Sequence, residues 1–149
     1  MDYVEIPVVR LQKGAPLPAY SHGPEKDAGL DLCYWGADAV VLRPGERRVF
    51  PTGIAIELPP GFEGQVRPRS GLAFEHGVTV LNAPGTIDPS FRGEIKVLLI
   101  NLGHAEHIFH PGERVAQLVI HSYSPARLKT VERLAPTERG GSGFGSTGA

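Results

Sequence analysis

The 149-residue chain is long enough for one domain with a sizeable core and too short for a second full one. Charged residues make up 21% and nearly cancel, to a net charge of -1, which excludes a bulk basic field for nucleic acid, so any anion recognition must be local. The single cysteine, Cys33, excludes an intrachain disulfide and a multi-cysteine metal site, and no apolar run approaches a signal-peptide core or a membrane span; the expectation is a cytoplasmic protein with neither a membrane nor a nucleic-acid partner.

Nineteen glycines and fourteen prolines favour short strands joined by turns. In chain order, Val4–Leu11, Leu30–Tyr34 and Arg47–Phe50 are predicted strands, rich in β-branched or aromatic residues and bounded by turn formers. Gly53–Leu58 alternates most clearly: Ile54, Ile56 and Leu58 share one face, Ala55 and Glu57 the other. Phe62–Val66 follows. Only Ser70–His76 reads as helical, with Ser70 placed to cap it and Gly77 to end it. Val78–Leu81, Glu94–Asn101 and Arg114–Tyr123 complete a set whose spacing predicts an all-β sandwich or jelly roll. Cys33 falls within a strand and is read as a core residue. Residues 139–148 contain one large apolar side chain, Phe144, and by composition form a flexible tail.

Several segments carry candidate chemistry. In Pro68–Ala73 a cation (Arg69), a hydroxyl (Ser70) and a bare amide (Gly71) stand at a helix start, where free N–H groups attract anions. The plain alternative is a capped turn with a surface arginine. In Asn82–Glu94, turn formers bracket Asp88 after the apolar Ile87, as in a hairpin holding a carboxylate; near a phosphate it can take a proton from water, and otherwise it is a turn residue before Pro89. Asp31 heads a strand between apolar neighbours and suits Mg²⁺ shared with substrate phosphates, or is simply a solvated strand end. Gln117 is the one polar side chain in Val115–Ile120, facing either a ligand or a neighbouring backbone group. In the tail, Arg139 can meet a phosphate and Phe144 can stack on a base.

His104, His107 and His110 recur every third residue, but in a hairpin that spacing alternates faces, so they are read as solvated rather than as a zinc site. Ser70 lacks an identifiable histidine–acid pair and is not read as a nucleophile.

Taken in order, Ala28–Leu32, Pro68–Ala73, Gly85–Glu94, Gly112–Leu118 and Arg139–Gly148 resemble the five motifs of the homotrimeric dUTPases, a likeness running from about Val4 to the C-terminus. The resemblance implies a jelly-roll β domain over residues 1–133 and an arm over residues 134–149 that closes over an active site of a neighbouring subunit. It implies hydrolysis of dUTP to dUMP and pyrophosphate, with Asp88 activating water and Asp31 helping to hold hydrated Mg²⁺. Arg69, Ser70, Gly71 and Gln117 would hold phosphates. Asn82, Gly85, Thr86, Ile87, Phe91 and Lys96 would form the uracil and deoxyribose pocket, with Asp88 beside the substrate. Arg139 would meet the terminal phosphate, and Phe144, Gly145 and Ser146 would cover the substrate. The family usually carries tyrosine where this chain has Phe91, which keeps the ring and loses the hydroxyl.

Two rivals share the fold. A dCTP deaminase would need a glutamate where Leu98 stands, and leucine transfers no proton. A non-catalytic nucleotide-binding trimer would tolerate loss of the acids and arginines that this chain retains.

Overall fold

The computed structural model describes residues 1–148, and its strands follow the turn spacing of the sequence. In chain order the elements are β1 (Val8–Arg10), β2 (Leu30–Cys33), β3 (Val40–Leu42), β4 (Arg47–Pro51), β5 (Ile54–Ile56), β6 (Phe62–Arg67), α1 (Ser70–His76), β7 (Val78–Val80), β8 (Gly85–Ile87), β9 (Lys96–Asn101), β10 (His107–Phe109) and β11 (Arg114–Ser122). A four-stranded sheet runs β2–β11–β6–β8 and a three-stranded one β4–β9–β7, while β1 pairs with β5 and β10 with β3. Every named pairing is antiparallel.

The core is a single cluster in which Leu32, Phe50, Ile54, Leu99, Phe109 and Val115 are almost wholly enclosed. Phe50 is its hub: its ring meets Tyr34 edge-on at 5.4 Å and Phe109 at 5.0 Å. Such pairs contribute about 0.5–1.5 kcal/mol each beyond their buried area. Two polar side chains, Thr52 and Asn101, are also buried. Thr52 Oγ1 donates to Ile95 O at 2.6 Å. Among the described residues no buried side-chain nitrogen or oxygen lacks a partner.

β9 explains how the core reaches the functional surface. Its period of two buries Val97, Leu99 and Asn101 and turns Lys96, Leu98 and Ile100 the other way. β4 and β7 pair on either side of it, which fixes its register and hence where Lys96 and Leu98 point.

Several expectations are corrected. The first strand is only Val8–Arg10, because the preceding residues have no ladder partner beyond the bond from Glu57 N–H to Pro7 O. β1, β3, β5, β7, β8 and β10 have three residues each, too few for a period to show, and β5 buries Ile54, Ala55 and Ile56 alike, so the one-faced alternation expected over Gly53–Leu58 gives way to a strand buried on both faces. The segment after Asn101 does not fold back as a local hairpin: β10 crosses to β3, and the pairing lets Phe109 and Leu42 enter one core. Cys33 is half-buried rather than a core residue.

Candidate active site

The segment around Asp88, expected as a hairpin, forms one side of a depression but is not a hairpin: β8 pairs with β6 and β9 with β4 and β7, so the turn at Asp88 carries the chain from one sheet to another. β8 buries Gly85 and Ile87 and exposes Thr86, and it forms the edge of the large sheet, hydrogen-bonded to β6. The chain then turns, with Phe91 N–H bonding Asp88 O at 3.1 Å. Arg92 braces the turn: Nη1 donates to Pro89 O at 2.6 Å and Nη2 lies 3.4 Å from Glu57 Oε1. Between this turn and β9 lies a cavity of about 260 Å³, lined by all six residues expected there: Asn82, Gly85, Thr86, Ile87, Phe91 and Lys96. Val66, Glu94, Ile95 and Leu98 also line it and were not anticipated as lining. Val66 and Ile95 carry no signal beyond their apolar character. Glu94 closes the third motif, and its Oε2 accepts the Gly53 N–H at 3.2 Å. An apolar floor with an amide, a carboxylate and an ammonium at its edge suits a flat polar ring that needs both donors and acceptors. Asp88 is exposed and does not line the cavity; it follows directly on buried Ile87, whose packing fixes the backbone beneath it.

A second group gathers where β2, β11 and the start of α1 meet. Gln117 stands opposite Asp31 on one side and Arg67 on the other. Its Nε2 donates to Pro68 O at 2.9 Å, so of the two roles open to it the backbone bond is the one present in the single chain. Arg69 Nε lies 3.8 Å from Asp31 Oδ1, and Arg114 Nη1 lies 3.3 Å from Asp31 Oδ2, which also accepts Ser21 Oγ–H at 2.6 Å. Arg114 and Ser21 were not singled out as site residues; Arg114 lies inside the fourth motif, where its pairing with β2 brings it to Asp31. Ser70 does not cap α1. Arg69 occupies the cap position without a side-chain bond, so the first N–H groups of the helix have no side-chain partner, and Ser70 is exposed. Gly71 is exposed with nothing within 4 Å of where its Cβ would stand, leaving space for a ligand. Burial first, and then Asp31, push the half-buried Cys33 thiol above its ordinary range, which disfavours the thiolate.

Among the described residues no three or more His, Cys, Asp and Glu side chains converge as a metal cage. His104 and His110 are exposed, while His107 is half-buried between His76, at 4.3 Å between ring centres, and Phe109, at 4.5 Å. A hard cation shared with a polyphosphate needs only a carboxylate oxygen from the protein. Asp31 fits that role: it is partly exposed, and Oδ1 accepts no hydrogen bond.

The tail residues are brought to neither group. From residue 121 to 148 every position is exposed, and Phe144 is fully so, with a left-handed φ of 51°. Arg139 Nε bonds only Ser142 O, at 2.8 Å, and Gly145 and Ser146 lie in local turns. A single chain thus presents a cavity, an Arg–Asp cluster and an arm as three separate parts.

A family model described as dUTPase matches residues 15–148. The chain is similar to the deoxyuridine 5'-triphosphate nucleotidohydrolase of Clostridium kluyveri, with 53% identity over 145 residues, covering 97% of this chain and 99% of that one. Its fold is similar to a Staphylococcus bacteriophage 80alpha dUTPase mutant solved with dUpNHpp, at a TM-score of 0.83 and 29% identity over 97% of this chain and 99% of that one. It is also similar to a mutant dUTPase from phage phi11 of S. aureus, described as coordinating a structural Mg(II) ion, at a TM-score of 0.78 and 25% identity over 87% and 98% of the two chains.

Proposed function

The chain belongs to the dUTPase family, and from that premise we propose that it hydrolyses dUTP to dUMP and pyrophosphate through water activated by Asp88 and directed at the α-phosphorus. The observation that carries this reading is the cavity beside Asp88, lined by the six expected residues. Uracil offers alternating acceptors and one N–H donor at its edge, which the Asn82 amide and nearby backbone can pair, while the Phe91 ring stacks on deoxyribose. A 2′-hydroxyl would crowd that ring, so discrimination against UTP rests on shape rather than on the missing tyrosine hydroxyl. Leu98 lines the same cavity, and an aliphatic side chain there offers no group for the amine chemistry of a deaminase.

Arg69, Ser70, Gly71 and Gln117 would bind the triphosphate by charge-assisted and backbone hydrogen bonds. Asp31 would hold hydrated Mg²⁺. When bound, the ion neutralises phosphate charge and fixes the triphosphate conformation. Asp88 would accept a proton from the attacking water as the phosphorus–oxygen bond to the leaving pyrophosphate breaks. Arg139 would meet the terminal phosphate, and Phe144, Gly145 and Ser146 would cover the substrate as the arm closes, excluding water.

The working assembly is proposed as a homotrimer, because cavity, arginine cluster and arm stand apart in one chain and a site needs all three. No helix among the described residues is long and apolar enough to cross a membrane. The cytoplasm is the proposed place of action, where a lone thiol stays reduced and the reaction would supply dUMP while keeping uracil out of DNA. The test is pyrophosphate release with Mg²⁺ from dUTP, dCTP, dTTP and UTP, with ammonia assayed alongside. Release from dUTP alone is expected; ammonia from dCTP would mean a deaminase, and no turnover a binding protein.

A further inference from the structure

We propose that Asn101, Gly103 and Gly77 form a junction that positions the start of α1 for the triphosphate; this rests on the reading of Arg69, Ser70 and Gly71 as phosphate ligands. α1 has little of its own to hold it in place. It has seven residues, none buried, no side-chain N-cap bond and no acidic residue in its first turn, and so short a helix is marginal by itself in water. Leu72 packs against the core, and Gln117 holds Pro68 at the front. The rear is held by backbone.

Gly77 ends α1 in the left-handed region at φ 68°, with its N–H bonded to Ala73 O at 3.0 Å. Its own oxygen accepts Leu102 N–H at 2.8 Å. A Cβ on Gly77 would stand 2.6 Å from Gly103 N, and a Cβ on Gly103 would fall on the His76 carbonyl oxygen. Two backbones therefore meet with no room for a side chain on either. Behind the contact, Asn101 is completely buried. Its Nδ2 donates to Leu42 O and Ala105 O, both at 2.9 Å, and its Oδ1 accepts Gly103 N–H at 2.8 Å. A side-chain amide supplies both the donors and the acceptor this pattern requires, whereas a carboxylate, a hydroxyl or an aliphatic group leaves part of it unmet. Asn101 thus ties the 102–105 loop to β3, and the loop fixes the rear of α1. At 1.5 Å per residue, Ser70 lies about 10 Å along the axis from Gly77, so a shift at the rear is carried by a rigid element to the N–H groups at the front.

The test compares dUpNHpp with deoxyuridine, which carries no phosphate, in wild type, Gly103→Ala, Gly77→Ala, Arg69→Ala and Leu102→Ala. Gly103→Ala and Gly77→Ala should each lose tenfold or more in dUpNHpp affinity while deoxyuridine affinity stays within twofold. Leu102→Ala, at an exposed side chain on the same loop, should change neither. If Gly103→Ala does not fold, Gly77→Ala carries the test, since its new methyl intrudes from a helix with no buried residue. Equal losses for both ligands, or no loss, would overturn the junction's positioning role. Should Arg69→Ala also leave dUpNHpp affinity unchanged, the phosphate reading falls with it; if Arg69→Ala weakens binding and the glycine variants do not, only the junction falls.

Discussion

Residues 82–96 and residues 134–148 draw on similar turn-forming material, glycine, proline, serine and threonine, yet they behave as opposites. The first is backed by Ile87 and Ile95, both buried, and is threaded into ladders with β6 and, at Lys96, with β4. The second is exposed throughout and bonded only to itself. Turn formers give a held loop where apolar residues alternate between them and reach a core; without such residues the same chemistry leaves a segment with nothing in its own chain to pack on. The proposed base pocket is therefore present in the single chain, whereas the proposed cover is not.

The most severe challenge to this division is at Asp88, which stands on the rigid side with no structural hydrogen bond from its side chain. Asp88→Asn should lower kcat by roughly 10²–10⁴-fold, with dUTP affinity and melting temperature nearly unchanged. Unchanged turnover would remove Asp88 from the chemistry. Deleting residues 139–149 should lower kcat by about a hundredfold while leaving deoxyuridine binding and the melting temperature intact; a large drop in melting temperature would show that the arm belongs to the folded body.

A matched pair sharpens the contrast energetically. Ile95→Ala, at a side chain only 2% exposed, should cost about 2–5 kcal/mol in denaturant unfolding. Leu134→Ala, at a side chain 84% exposed, should cost almost nothing in a single chain. A measurable loss at Leu134 that depends on protein concentration would place the arm in a subunit contact.

The smallest effect concerns His107, which belongs to the rigid body. Burial, and then the neighbouring His76, lower its pKa from the usual 6.5, against a weaker opposing pull from Glu113. Protons then bind the unfolded chain more readily, so the His107 contribution to stability is present above about pH 6.5 and is lost as pH falls through the lowered value. His107→Gln should shallow the stability decline between pH 7 and pH 5, and by the same amount with and without the arm. A decline unchanged by the substitution would remove His107 as its source.

Much of the site was legible in residue order. The strand within Gly53–Leu58, the helix between Ser70 and Gly77, the turn at Asp88 and the composition of the tail are local signals, and so are the five motifs that carry the family resemblance. The partners within the fold were not legible. That β10 joins β3, that Asn101 is buried as a clamp, that Arg114 reaches Asp31, and that Gln117 bonds Pro68 all follow from which distant apolar faces are buried together. The reason is physical: period and turn chemistry act over a few residues and are written in sequence, whereas strand partnership is chosen by the burial of whole faces such as Leu42 with Phe109, which is settled only when the chain has folded.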